Sequence, residues 1–423
     1  MVGKRGVRAL ALSVAAATAL AACGGGDTDS GSEGAAGSLA DVTSYNQAWL
    51  VDFSGPYADV YDDLQAARKA TNDWWNKEVG EGLGVKLEGK TYDHRYDAAQ
   101  VASLWPGILS ELKPIFAMGV GGPDVAALQQ RLPQDKVPLL MNTAAYGYAW
   151  APGSWVFNPR ATYAHEAAGF VNWMKEDRKL DRPVRVAFIS SEVAPAYVDI
   201  VKGMEAFSKQ FPDQAEVVAV EYAEVQPADL TSQVRRIVDA KADVILIQTN
   251  TTQAVVTIQA LESLNSDIPI MLSSHNSLQP TATAAGGLER LEGDYESYGF
   301  VVPAAEEGEA FEFYTMLKEK YGLKADWNVP TVQGIAHQLY AGRAVEEAVE
   351  TVGADKLTGQ AMYDAMLSVE ISADDTFGFL PALDWTGEAP FPTSGLTTSI
   401  GTVKDGKYSV AKLGSEIPEL EKW

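Results

Sequence analysis

Val184-Arg185-Val186-Ala187-Phe188-Ile189 is a compact β-rich run, and behind it Tyr197, Val201, Met204 and Phe207 fall at helical spacing. Such a run followed by a 3.6-residue period reads as a strand and then an amphipathic helix. The unit is decisive because it restarts a rhythm already run once. Upstream, Gln47-Ala48-Trp49-Leu50-Val51 is a strand, Ser54-Gly55-Pro56 a turn, and Val60, Leu64, Ala67, Thr71 and Trp74 one face of a helix. Strands then read at 85–92, 114–118 and 138–141, with helices over 98–109 and 125–131 between them. After the restart, strands read at 217–220, 244–247 and 269–272, with helices behind Asp229, an N-cap residue type, and over 254–264. Corresponding strands of the two halves are offset by about 130 residues.

Strand-helix alternation builds a parallel sheet with helices on both faces, and Val244-Ile245-Leu246-Ile247 has the unbroken apolar character of a strand buried on both sides. The same rhythm could close into a single barrel. The break at Trp155-Val156-Phe157-Asn158-Pro159-Arg160 and the restart behind it favour two sheets. The predicted fold is therefore α/β, two doubly wound parallel-sheet lobes. After His275 the pattern changes. Residues 293–301 read as a strand, 309–321 and 331–352 as helices, and a β-rich segment runs from Phe379-Leu380-Pro381-Ala382-Leu383 to 402–410. Lobe one is expected over 41–160 and 293–375 and lobe two over 161–292 and 376–423, with crossovers near 160, 292 and 376 forming a three-segment hinge.

The N-terminus places this body in a compartment. Lys4, Arg5 and Arg8 precede an apolar run over 9–20, and Leu20-Ala21-Ala22-Cys23 closes it with the chain's only cysteine. The run is too short for a bilayer span, which needs about 20 residues, and it has the layout of a cleavable secretory signal. Leu-Ala-Ala-Cys resembles the bacterial lipobox, which implies removal of the signal peptide over 1–22 and acylation of Cys23, a lipoprotein tethered outside the cytoplasm. An ordinary signal with an incidental cysteine is the other reading. Residues 23–40 contain no aromatic residue and almost nothing to bury, and read as a flexible tether. Removing 1–22 takes away three cations and no acid, moving the formal charge from −24 to −27. That charge argues against nucleic acid and against a body lying on anionic lipid.

The order of elements resembles the type I periplasmic binding proteins, in particular the branched-chain amino acid, amide and urea group of ABC-transporter substrate-binding proteins. The resemblance rests on Phe53-Ser54-Gly55-Pro56-Tyr57-Ala58, Tyr92-Asp93-His94-Arg95-Tyr96-Asp97, Gly119-Val120-Gly121-Gly122-Pro123, Pro138-Leu139-Leu140-Met141-Asn142-Thr143-Ala144, and Gly378-Phe379-Leu380-Pro381-Ala382-Leu383-Asp384-Trp385. It implies lobes that close on a small solute, which is then passed to a membrane permease powered by ATP hydrolysis elsewhere.

Ligands of open parallel sheets sit beyond the carboxyl ends of the strands. That rule selects Gly121, Gly122, Pro123 and Asp124, where glycines let backbone N–H groups approach an oxygen, although a plain tight turn would look the same. The resemblance carries ligand contacts to Asn142, Thr143 and Tyr146. Tyr57 and Tyr61 offer an apolar wall or packing under a helix. From lobe two the strand-exit positions are Glu192, Ala194, Tyr197, Asn250 and His275. The family's amino acid binders place acids or tyrosines at such positions, whereas here Tyr163, Asn250 and His275 stand there. Burying a cation without a carboxylate costs several kcal/mol, so Arg95, Asn250 and His275 suit a carboxylate or neutral polar head, with Glu192 left for an ammonium.

His94, His165, His275 and His337 show no paired metal spacing, and no Walker loop, G-x-S-x-G elbow or H-E-x-x-H is present. No cofactor and no enzymatic activity are expected. Trp49, Trp74, Trp75, Trp105, Trp155 and Trp173 read as core or hinge. The expected function is capture of a carboxylate, amide or amino acid-like solute for an ABC permease; a ligand sensor signalling to a partner and an exported amide-processing enzyme are the alternatives.

Overall fold

The computed structural model describes residues 42–142, 145, 153–383, 392 and 395–423. Cys23 with the signal and tether, Thr143, Tyr146 and Trp385 lie outside the described residues. In the first sheet, β1 (Thr43–Val51), β2 (Val85–Asp93), β3 (Phe116–Gly119), β4 (Leu139–Met141) and β5 (Val156–Phe157) are arranged β2-β1-β3-β4-β5, every pair parallel. The second holds β6 (Val184–Ser190), β7 (Ala215–Tyr222), β8 (Val244–Ile247), β9 (Ile270–Leu272), β10 (Tyr295–Tyr298), β11 (Thr397–Lys404) and β12 (Lys407–Glu416). Its order is β12-β11-β10-β9-β8-β6-β7, parallel from β6 to β10 and antiparallel at β11 and β12. Strand order reverses at β1 in one sheet and at β6 in the other, so each sheet has a switch point where its first strand ends.

Both faces of each sheet are covered, which is why the strands read as apolar runs. On β1, Trp49 packs with Phe116, Met118 and Phe157, while Ala48 and Leu50 turn to Trp105, Leu128 and Leu139 on the other side. On β8, Val244 and Leu246 join one core and Ile245 and Ile247 another. Around the first sheet lie α1 (Ala58–Trp75), α2 (Ala98–Gly107) and α3 (Gly122–Leu128). Around the second lie α4 (Tyr163–Asp177), α5 (Pro195–Gln210), α6 (Thr231–Asp239), α7 (Thr251–Ser263) and α8 (Leu278–Ala285). The chain then returns to lobe one with α9 (Glu309–Tyr321), α10 (Val329–Val352) and α11 (Gly359–Ser368), whose apolar faces complete the core around Trp49. α10 lies against α1 so closely that a Cβ on Gly334 would sit 2.3 Å from the Leu64 carbonyl oxygen. Only glycine fits there.

Three sequence expectations need correction. β10 does not open the return to lobe one but sits in the second sheet between β9 and β11. Its polar groups find their partners there: Asp294 accepts the Ile270 N–H at 2.8 Å, and Glu296 accepts the Leu278 N–H at 2.7 Å. The second crossing therefore follows Tyr298 rather than residue 292. The stretch at 379–383 is no ladder strand; it makes a single bridge, Ile371 to Leu383, and Phe379 accepts the Val301 N–H at 3.1 Å. It thus stays beside lobe one, and the third crossing lies beyond Leu383 rather than near 376. The helix expected from Val125 begins at Gly122, because Asp124 turns back on its own loop.

The first two crossings meet at Arg160. Its guanidinium sits 5.0 Å over the Tyr163 ring and 4.9 Å over the Phe300 ring, donates to Ser274 Oγ at 3.0 Å, and brings Nε to 3.5 Å from Glu166 Oε1. Glu166 Oε1 also accepts the Gly299 N–H at 2.7 Å. Arg160 and Glu166 are each 1% exposed. Burial pushes the Glu166 carboxyl up to about 7, with Arg160 and the Gly299 N–H pulling against it.

Candidate functional site

The two switch points face each other, and the loops leaving the strands there build one cleft of about 720 Å³, within the range of small-molecule sites. Lobe one contributes Pro56 and Tyr57 behind β1, Gly122 and Pro123 behind β3, and Arg95, Tyr96, Asp97 and Ala98 behind β2. Lobe two contributes Val193, Ala194, Pro195 and Tyr197 behind β6, and Val225 and Gln226 behind β7.

Short-range hydrogen bonds hold these loops. The buried Asp52 carboxylate accepts the Gly55 N–H at 2.6 Å and the Tyr57 N–H at 3.0 Å, fixing the turn that delivers Tyr57. Asp93 accepts the Phe53 N–H at 3.1 Å, the Ser54 hydroxyl at 2.8 Å and the Arg95 N–H at 3.1 Å. Burial raises the Asp93 pKa, but the Ser54 hydroxyl, these backbone N–H groups and the Arg95 charge outweigh it and hold the carboxyl below its ordinary value. Arg95 and Tyr96 both adopt left-handed backbone, φ 56° and 57°. Two successive side-chain-bearing residues in that region cost energy that the surroundings must supply. Here the Tyr96 N–H is taken by His94 Nδ1 at 3.1 Å, and the Tyr96 ring packs 4.7 Å from that of Tyr57.

Inward of the cleft, the lobes touch. The Tyr57 and Tyr197 hydroxyls meet, the Tyr57 ring lies 5.5 Å from the His275 ring, and Thr251 Oγ1 donates to Asp59 Oδ2 at 3.2 Å. Between Tyr61, Asn142, Ser274 and His275 these side chains leave a cavity of only about 10 Å³, no more than a single water requires. The deep gap at the strand ends is thus filled by the protein's own rings, and the open volume lies outward of the Tyr57–Tyr197 pair.

Among the expected site residues, Tyr57, Arg95, Gly122, Pro123, Ala194 and Tyr197 line the cleft. Tyr61, Asn142 and His275 border the deep cavity instead. Asn142 is committed to lobe one: its side-chain oxygen accepts from Arg68 Nη2 at 3.3 Å and contacts His337 Nδ1, and its carbonyl accepts from Gln333 Nε2 at 3.1 Å. Asp124 takes the Val120 and Gly121 N–H groups at 2.6 and 3.0 Å and lies 3.2 Å from His94 Nε2. Of the glycine amides expected to greet a ligand, that of Gly121 is therefore engaged by Asp124, and Gly121 stands behind the wall. Asn250 caps α7 by accepting the Gln253 N–H at 3.1 Å. Glu192 is exposed and lines neither cavity.

His275 Nδ1 donates to the Gln248 carbonyl at 3.1 Å, which leaves Nε2 to accept from the Tyr163 hydroxyl at 3.0 Å. Burial pushes the imidazole down to about 4, against the pull of the Gln248 carbonyl. It is neutral at physiological pH. Sequence reasoning passed over Tyr96, Val193 and Val225. The first carries its signal in the motif Arg95-Tyr96-Asp97 ahead of α2; an aliphatic residue in a loop carries none. Among the described residues no group of three His, Cys, Asp or Glu is placed to hold a metal ion, and no helix is long and apolar enough to cross a membrane.

Residues 46–390 match the family model described as periplasmic binding protein. Three solved structures align over most of both chains. The branched chain amino acid ABC transporter from Thermus thermophilus with bound valine is 16% identical, with 88% of this chain and 96% of that one covered at a TM-score of 0.74. A fatty acid ABC transporter substrate-binding protein from Thermomonospora curvata is 20% identical, with 90% and 94% covered at 0.73. A solute binding protein of an ABC transporter from R. palustris in complex with 4-hydroxybenzoate is 17% identical, with 89% and 98% covered at 0.69. No curated protein matches the sequence.

Proposed function

The chain belongs to the periplasmic binding protein family, and from that premise we propose that it is an extracytoplasmic solute-binding lipoprotein. It captures a small organic solute, a carboxylate, amide or amino acid-like molecule, and hands it to the permease of an ABC importer. The observation that carries this reading is the cleft of about 720 Å³ walled by strand-exit loops of both sheets. A solute touching both walls gains contacts only when the lobes are together, so binding shifts the population toward the closed form that the permease recognises. The solved relatives support a broad solute class, since their bound or named solutes run from valine to 4-hydroxybenzoate and fatty acid.

Calorimetric titration with amino acids, aromatic acids, amides and urea tests the reading. At least one class should bind with one molecule per chain; silence from all of them contradicts it. Anchoring rests on the Leu20-Ala21-Ala22-Cys23 sequence. Because stable attachment needs two or more acyl chains, Cys23→Ser should move the protein from the membrane fraction to the soluble one. Retention of the variant on membranes would remove the anchor from the account.

A further inference from the structure

We infer that the solute is an amphipathic carboxylate, its apolar body lying on the outer shelf between the lobes and its single negative head facing Arg95. The inference rests on the solute-binding reading and adds the chemistry of the solute.

The Tyr57–Tyr197 contact floors the shelf, and the remaining 10 Å³ inward of it admits no organic molecule. The walls above are prolines, alanines, valines and the Tyr96 ring, including Val193, which is 69% exposed at the rim. Such a surface holds an apolar body, at about 25 cal/mol per Å² removed from water. Besides the hydroxyls of Tyr57, Tyr96 and Tyr197, the polar side-chain ends among the described lining residues are those of Arg95, Asp97 and Gln226. Asp97 is occupied as the N-cap of α2, its Oδ1 accepting from the Ala99 and Gln100 N–H groups at 2.7 and 3.2 Å. The Arg95 guanidinium makes no ion pair with a carboxylate among the described residues and feels Asp93 only at longer range. Its backbone, held left-handed by the bond from its N–H to Asp93, fixes the loop at the mouth. Of the two charged side chains on the shelf, Asp97 is turned to the positive N-terminus of α2, and Arg95 is the one without an ion-pair partner among the described residues. An ammonium would meet only the Asp97 carboxylate, already bonded to the α2 N-terminus, because Glu192 lines neither cavity.

Titration of the full chain with octanoate, octanamide, octylamine and leucine tests this, alongside Arg95→Ala. Arg95 is exposed, so the variant should fold, which circular dichroism checks. Octanoate should bind the wild type at least tenfold tighter than octylamine or leucine. Arg95→Ala should weaken octanoate by about tenfold, the worth of a hydrogen bond to a charged group, and octanamide by less than twofold. Leucine or octylamine binding as tightly as octanoate, or octanoate indifferent to Arg95→Ala, overturns the inference. If a zwitterion from the calorimetric panel binds and octanoate does not, the inference falls and the solute-binding reading stands. If no solute of any class binds, both fall.

Discussion

Arg160→Ala is expected to lower the unfolding free energy by about 3–5 kcal/mol, the cost of removing one partner from a buried ion pair. The guanidinium touches Glu166, Ser274, Tyr163 and Phe300, so its loss strips the point where two crossings meet. The penalty should depend on pH in a direction that Glu166 sets. Its carboxyl is raised to about 7 by burial from an ordinary value of 4.5, so the native state holds the proton that the unfolded chain releases. This contribution favours the fold at low pH, and it shrinks as pH rises from 4.5 toward 7. Without Arg160 the carboxyl rises further, and the decline continues to higher pH. Urea unfolding should therefore show a larger loss for Arg160→Ala at pH 8 than at pH 5, and Glu166→Gln in the same chain should recover part of the loss at pH 8. A penalty that is equal at both pH values would show that Glu166 is not left charged and unpaired.

Gly122→Trp is expected to weaken solute binding by about a hundredfold, the loss that follows when the closed state is populated at about one part in a hundred. A Cβ at Gly122 would stand 3.5 Å from the Ala194 Cβ and 3.8 Å from Pro195 Cδ across the gap. Alanine fits this space at ordinary contact distance and should bind like the wild type. An indole does not fit, and it is accommodated only if the lobes part. In the parted state it faces solvent, so the thermal midpoint should stay within a few degrees of the wild type. Scattering should give a larger radius of gyration for the tryptophan variant. Undiminished binding by Gly122→Trp would mean that the solute does not need both walls.

Sequence reading reached the sheets because their strands are buried on both faces, which leaves runs such as Val244-Ile245-Leu246-Ile247 unbroken. It reached the cleft loops because a switch point follows from strand order alone. The individual site residues were less legible for a chemical reason. The side chains that suit a ligand oxygen or amide also cap helices and tie loops, and Asp124 and Asn250 are spent that way. Nothing local marks the difference. The Tyr57–Tyr197 contact joins residues 140 apart, and the second crossing shifted because Asp294 and Glu296 found partners at Ile270, Leu278 and Tyr408. Such pairings exist only once the lobes are assembled.

The most direct test follows the radius of gyration by small-angle X-ray scattering as octanoate is added to the wild type and to Gly122→Trp. A solute clasped between facing loops should contract the wild type in proportion to occupancy and leave the wedged variant expanded. A wild type that binds octanoate without contracting, or a variant that binds it equally well, would contradict the account.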